Sequence, residues 1–332
     1  MEKFLNDYVS RTAFKEQLEI PQNSNIILEP LGQGEYNVNY SFTHPVSGKK
    51  LVLRRNTGSQ LHLDDQIGYE FSALKNLERS GRTPKAYFCD SENSILVMEH
   101  LPGRALNYLN ELPIAAQILA DIHSVPVPED TKLLKPEYPA LAIFEECLDM
   151  AREYLLWEEA NTEVSELLME FIEVIGNMPL DTKSSTPPCI VNTELNNANF
   201  LINPDGRSYL IDWEKPILSE PAQDLAHLLV PTTTFWKTNV TLGPIAVKEV
   251  VDMYIKAVDG RIALYDLKER FPLYFTVTCF RGVSWCAMAM REYSTPGRAI
   301  VNEFAFNKIK SYLSPNFLRN ILNDYVKRDF LR

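Results

Sequence analysis

Two oxygen-bearing side chains, Asn199 and Asp212, stand near the two ends of the stretch ANFLINPDGRSYLIDWE. Between them, two apolar runs flank Asp205-Gly206, the dipeptide of a two-residue hairpin loop. If those two residues are the loop, 204 pairs with 207, and counting outward sets Asn199 opposite Asp212. Opposed residues on antiparallel strands have Cα atoms about 4.5–5.5 Å apart. An amide and a carboxylate so placed supply oxygens to one hard cation, the ligand type magnesium prefers. Glu194 lies five residues before Asn199, on the entering loop. The plain alternative is a surface hairpin with solvated polar ends.

A second constellation lies in the first hundred residues. Gly32 and Gly34 fall between two strand-like runs, NIILEPL and VNYSF. They are either turn glycines or a backbone that approaches ATP phosphates where a Cβ would obstruct. Arg54 lies on the next apolar strand, LVLRR. In HLDDQIGYEFSALKNLERSG, Asp64 or Asp65 can cap a helix whose Ile67, Phe71, Leu74 and Leu77 recur at helical spacing, with Gly81 as its stop. Glu70 falls on the edge of that stripe, between Ile67 and Leu74. It points partly inward and needs a partner. Arg54 is chemically suited. A strand cation held by a helix glutamate beneath a glycine loop is the phosphate-positioning device of kinases.

These residues need a sheet to carry the first set and helices to frame the second. The pattern up to residue 102 reads as strands around one helix, closing with the buried-looking run SILVMEHLPG. From about 107 onward it is mostly helical, interrupted by the hairpin, with amphipathic runs at 138–160 and 164–178. The expected organisation is a small sheet lobe over 1–102 and a larger helical lobe over 103–332. At 332 residues and 45% hydrophobic content, the chain can bury a sizeable core in each. A net charge of −11 argues against nucleic acid as a partner. Five scattered cysteines without a CxxC fit a reducing cytoplasm better than a disulfide framework or zinc site. No apolar run approaches the ~18–20 residues of a membrane span, and the charged start does not read as a signal peptide.

The chain resembles the aminoglycoside phosphotransferase and choline kinase-like superfamily of small-molecule kinases, over roughly residues 26 to 290. The resemblance rests on LGQGEYNVNYSF, LVLRRN, IGYEFSALKNL and LVMEHLPG, then on ILADIHSV, VNTELNNANFLI, YLIDWE and EPAQDLAHLL. It implies an α+β, protein kinase-like two-lobe fold, with a small antiparallel sheet and a larger helical part. It implies an ATP- and magnesium-dependent transfer of a γ-phosphoryl group to a small-molecule hydroxyl. By that resemblance the loop from Gly32 through Gln33 and Gly34 to Asn37 covers the nucleotide. Arg54, held by Glu70, contacts the phosphates, and the backbone of Glu99, His100 and Leu101 meets adenine. Asn199 and Asp212 match the metal ligands, Glu194 the catalytic base, and Asp224 a brace of the catalytic loop. The helices near 140–177 match an acceptor-binding element.

One departure bears on the chemistry. The family loop reads His-Gly-Asp-x-x-x-x-Asn; this chain reads Asn192-Thr193-Glu194, then Asn199. The carboxylate survives one methylene longer. Phosphoryl transfer depends mainly on positioning and electrostatics, and a misplacement of about 1 Å can cost on the order of 100-fold in rate. The alternative to an active enzyme is therefore a catalytically weak or inactive nucleotide-binding module. The acidic segment FEECLDMAREYLLWEEANTEVSE mildly favours an amine-bearing acceptor, against the simpler reading of a solvated helix face. Fold alone does not name the acceptor.

Overall fold

The computed structural model describes residues 2–34, 36–59, 61–295 and 302–328. Glu35, inside the expected glycine loop, lies outside the described residues. The chain divides into two compact units. The first is Met1–Ala105 with Val125–Leu133 and Ala198–Pro216; the second is Leu106–Ser124 with Leu134–Asn197 and Ile217–Arg332.

The first unit opens with two short helices, α1 (Glu2–Val9) and α2 (Thr12–Gln17). They are followed by β1 (Glu29–Gln33), β2 (Asn37–Thr43), β3 (Lys50–Asn56), α3 (Gln66–Leu77), β4 (Ala86–Asp90) and β5 (Ile95–Glu99). The five strands form one antiparallel sheet in the order β1-β2-β3-β5-β4. Strand β1 starts later than the apolar pattern suggests and runs through Gly32, with an irregularity between Pro30 and Gly32. Proline is tolerated there because β1 is an edge.

Side chains alternate across β3. Leu51 and Leu53 face one side and join Leu5, Tyr8, Val9 and Phe14 of the N-terminal helices in a single core. Arg54 faces the other side, toward α3. Asp65 caps α3, its side chain accepting from the Gly68 N–H at 2.8 Å. After a 3-10 turn the chain reverses at Gly81, whose φ of 62° is left-handed.

The second unit is mostly helical. It comprises α4 (Leu112–His123), α5 (Pro139–Leu155), α6 (Thr162–Gly176), β6 (Cys189–Val191), α7 (Pro221–Leu229), α8 (Pro231–Thr238), α9 (Pro244–Val258), α10 (Leu267–Tyr293), α11 (Glu303–Tyr312) and α12 (Pro315–Ile321), with β6 paired to a short strand over Ile217–Ser219. The long α10 packs against α5 and α7, and α4 against α9. Phe280 of α10 stacks on Phe171 of α6, ring centroids 5.4 Å apart.

The hairpin that carries Asn199 and Asp212 belongs to the first unit. Its strands, β7 (Phe200–Leu201) and β8 (Tyr209–Leu210), pair Phe200 with Leu210 and Leu201 with Tyr209. The register is thus one residue from the expected one: Asn199 lies opposite Ile211, whose N–H donates to the Asn199 carbonyl at 2.9 Å. The reason is the turn. Gly206 N–H donates to the Asn203 carbonyl at 3.2 Å, so the reversal spans Asn203-Pro204-Asp205-Gly206. Asn, Pro and Gly there suit the first, second and fourth places of a type I turn. A two-residue type I′ loop needs positive φ at both Asp205 and Gly206, and neither has it. Within the unit the hairpin is anchored by Leu210 N–H to the Arg82 carbonyl (2.8 Å) and by the Arg104–Ile202 bridge.

Candidate active site

Within the first unit, Arg54 is the centre of the arrangement. Its side chain is 9% exposed, and Nη1 donates to Glu70 Oε1 at 2.7 Å. Nε donates to Asn39 Oδ1 at 3.0 Å, and Nη1 and Nη2 each reach Asp212 Oδ1 at 3.4 Å. Three elements therefore converge on one guanidinium: α3 through Glu70, β2 through Asn39, and the segment after β8 through Asp212. Burial opposes the charge on Arg54, but the carboxylates of Glu70, Asp212 and Glu214 overcome it and hold the guanidinium above its ordinary value. Burial pushes the Glu70 carboxyl up, and Arg54 pulls against that shift. Glu70 Oε2 is buried without a hydrogen-bond partner, which leaves the ion pair single-stranded.

Asp212 adopts a left-handed φ of 66°. Asp tolerates that conformation better than most residues, and the chain turns there from the hairpin into Trp213 and Glu214. Glu214 is a site residue the local pattern did not single out. Its carboxylate accepts from the Asn37 side chain, and its carbonyl accepts from Gln66 Nε2 at 2.6 Å. A carboxylate oxygen of Glu214 lies within 4.8 Å of one from Asp212. The spacing Asp-x-Glu was the available signal. Asp212 and Glu214 thus bring two carboxylates together, the oxygen donors that a hard cation such as magnesium takes.

The glycine loop is built from β1, β2 and their connection. Gly34 N–H donates to the Asn37 carbonyl at 2.8 Å, and Gln33 pairs with Val38. Neither Gly32 nor Gly34 has positive φ, and a Cβ at Gly32 would meet nothing within 4 Å. The chain's own conformation therefore does not demand glycine at either place. Asn37 is spent internally: besides its bond to Glu214, its Oδ1 accepts from Asn56 Nδ2 at 2.9 Å. It braces the loop's exit rather than facing open space. At the strand end over residues 99–101, Glu99 N–H donates to the Lys85 carbonyl (2.8 Å) and His100 N–H to the Lys50 carbonyl (3.2 Å). These two donors are committed to the neighbouring strands' carbonyls.

Within the second unit, the loop after β6 carries Glu194. Asp224, fully buried on α7, accepts from Asn192 N–H at 2.8 Å and Thr193 N–H at 2.9 Å through its two oxygens. His123 Nε2 stands 3.2 Å from the same carboxylate, and its Nδ1 2.9 Å from the Tyr254 hydroxyl. Glu194 N–H donates to Asn192 Oδ1 at 3.0 Å, and Leu195 N–H to His227 Nδ1 at 3.0 Å. Asn196 N–H donates to the Glu194 backbone carbonyl at 3.1 Å. Every N–H from 192 to 196 thus has an acceptor other than the Glu194 carboxylate. That side chain is half-buried. Thr193 has a φ of 72°, a strained conformation for a β-branched residue.

A family model for the phosphotransferase enzyme family matches residues 27–262. The chain belongs to this family. No curated protein matches it by sequence. Among solved structures, choline kinase LicA from Streptococcus pneumoniae is similar at 18% identity, covering 96% of this chain and 99% of that one, with a TM-score of 0.60. An ethanolamine kinase from Plasmodium vivax is similar at 14% identity, covering 96% and 90%, TM-score 0.61. The aminoglycoside phosphotransferase APH(2'')-Ib in its ADP-bound form is similar at 15% identity, covering 93% and 97%, TM-score 0.57. The fold is therefore the kinase-like fold of these enzymes. No helix among the described residues is long and apolar enough to cross a membrane.

Proposed function

We propose that this phosphotransferase moves the γ-phosphoryl group of ATP to a hydroxyl of a small molecule, with magnesium. The observation that carries the reading is the buried Arg54, clamped by Glu70 and reaching Asp212. A cation sealed between carboxylates is poorly used for stability alone and well used for phosphate oxygens. In this reading the first unit binds nucleotide: Arg54 meets the phosphates, the backbone from Gly32 to Asn37 lies over them, and Leu101 N–H meets adenine. Asn199, Asp212 and Glu214 would hold magnesium, which when bound neutralises charge on the β- and γ-oxygens. Glu194 in the second unit accepts the proton of the attacking hydroxyl, and Asp224 and Asn192 fix its backbone. The five unpaired cysteines fit the reducing cytoplasm.

The test is ADP release from MgATP across a panel of hydroxylated metabolites, with Glu194→Gln beside the parent. The expected result is turnover by the parent and a loss of at least ~100-fold in the variant, with ATP affinity within a few-fold. MgATP binding without ADP release by any compound would leave a nucleotide-binding module instead.

A further inference from the structure

The acceptor side of the second unit carries a cation that the proposed phosphoryl transfer does not use. Arg281 lies at the middle of α10 with its side chain 21% exposed. Nε donates to Glu146 Oε2 at 2.9 Å and Nη2 to Glu146 Oε1 at 3.1 Å. Glu146 of α5 thereby grips one edge of the guanidinium, the edge formed by Nε and Nη2. A guanidinium has five N–H donors in a fixed fork and no acceptor. The opposite edge, formed by Nη1 and the second N–H of Nη2, has no partner among the described residues, and Nη1 is not among the sealed, unpartnered atoms. A fork held rigidly on one side and open on the other is shaped for a second planar carboxylate.

Its surroundings tie that open edge to the Glu194 loop. Burial opposes the charge on Arg281. The negative field of Glu146, with a smaller one from Glu194, overcomes it and holds the guanidinium above its ordinary value. One turn on, Trp285 is 39% exposed and meets Trp236 of α8 edge-to-face at 5.4 Å. The next residue, Lys237, reaches Asn196 Oδ1 of the same loop at 3.5 Å. One chain of contacts thus runs from the Glu194 loop through Lys237, Trp236 and Trp285 to the helix that carries Arg281. Half of the acidic segment that favoured an amine is turned to other use: Glu146, Asp149, Glu153 and Glu163 each pair with an arginine of this unit.

We propose that the acceptor is a hydroxy acid, its carboxylate read by the open edge of Arg281 and its carbon skeleton resting on Trp285. This rests on the phosphotransferase reading above and names its substrate class. Arg281 is a specificity residue; the phosphoryl group still goes to the hydroxyl oxygen, whose proton passes to Glu194.

The test uses short-chain hydroxyl compounds in matched sets: a hydroxy acid, its amide, and the amino alcohol of equal length. ADP release from MgATP is measured for the parent, Arg281→Gln and Arg281→Lys. Hydroxy acids are expected to be the substrates. Arg281→Gln should raise KM for them by about 10- to 100-fold with kcat within a few-fold, and Arg281→Lys should recover part of the loss. Turnover confined to amides or amino alcohols overturns the inference and leaves phosphoryl transfer standing. So does an unchanged KM in Arg281→Gln. No turnover of these sets, with ADP released on another hydroxylated metabolite, overturns this inference alone; no release on any compound by an enzyme that binds MgATP overturns the phosphotransferase reading and this inference with it.

Discussion

Thr193 shows how a single residue can carry both strain and purpose. A left-handed backbone costs an L residue about 1–2 kcal/mol, and a branched Cβ makes it worse. Yet the Thr193 N–H is directed at Asp224, and the turn aims the next residue, Glu194. Asn has nearly the same volume, keeps a polar side chain and tolerates this conformation. Thr193→Asn should therefore stabilise the protein by about 1 kcal/mol, read as a rise in thermal midpoint; a lower midpoint would show that the threonine side chain is worth more than the strain. Asp212, also left-handed, offers no such gain. At this scale the sequence was partly legible. The Arg54–Glu70 pair could be expected because strand alternation and a helical stripe each fix which way one side chain points. Asn39 and Glu214 could not, since no local period says which polar group will reach across to a buried cation.

Elements were legible where periodicity decides them and less so where turns do. The helix with Glu70 and the amphipathic pair α5 and α6 follow from apolar spacing. The hairpin register does not: Asp-Gly favours one turn, Pro204 and Asn203 favour another, and the second prevails, shifting the pairing by one residue. That α1 and α2 cover the outer face of the sheet was also hidden, because an amphipathic stripe does not name what it packs against. Asp266, just before α10, illustrates the cost of holding a segment without regular structure. Burial pushes its carboxyl up, but bonds from the Thr186 and Ser184 hydroxyls (2.6 and 2.7 Å) and the Ser185 N–H (2.8 Å) outweigh that and hold it below its ordinary value of 3.8. A depressed folded pKa means stabilisation that is present above that ordinary value and lost as pH falls below it. The thermal midpoint of the parent should fall more steeply from pH 5 to pH 2 than that of Asp266→Asn. At pH 7, Asp266→Ala should lose on the order of 2 kcal/mol. Parallel pH profiles for the parent and the Asn variant would show that these bonds stabilise nothing measurable.

For the molecule as a whole, the charges gathered in the first unit make a prediction about folding and binding together. Arg54, Glu70, Asp212 and Glu214 concentrate one cation and three anions around a buried centre. Such a cluster is stabilised by a ligand that brings its own complementary charges, phosphate oxygens for Arg54 and a divalent cation for the carboxylates. Anything that binds the folded state alone stabilises it by RT ln(1 + [L]/Kd), about 2.7 kcal/mol at one hundred times Kd. For a protein of 332 residues each kcal/mol moves the midpoint by roughly 1–2 °C. MgATP at one hundred times Kd should therefore raise the midpoint of the parent by about 3–5 °C. ATP with a chelator should give much less, because the carboxylates then repel the phosphates. Asp212→Ala removes one anion without opening the core, since that side chain is 31% exposed. The variant should unfold as cooperatively as the parent and lose most of the MgATP shift. A full shift in Asp212→Ala would place the metal elsewhere, and an equal shift with and without magnesium would mean that Arg54 alone carries nucleotide affinity.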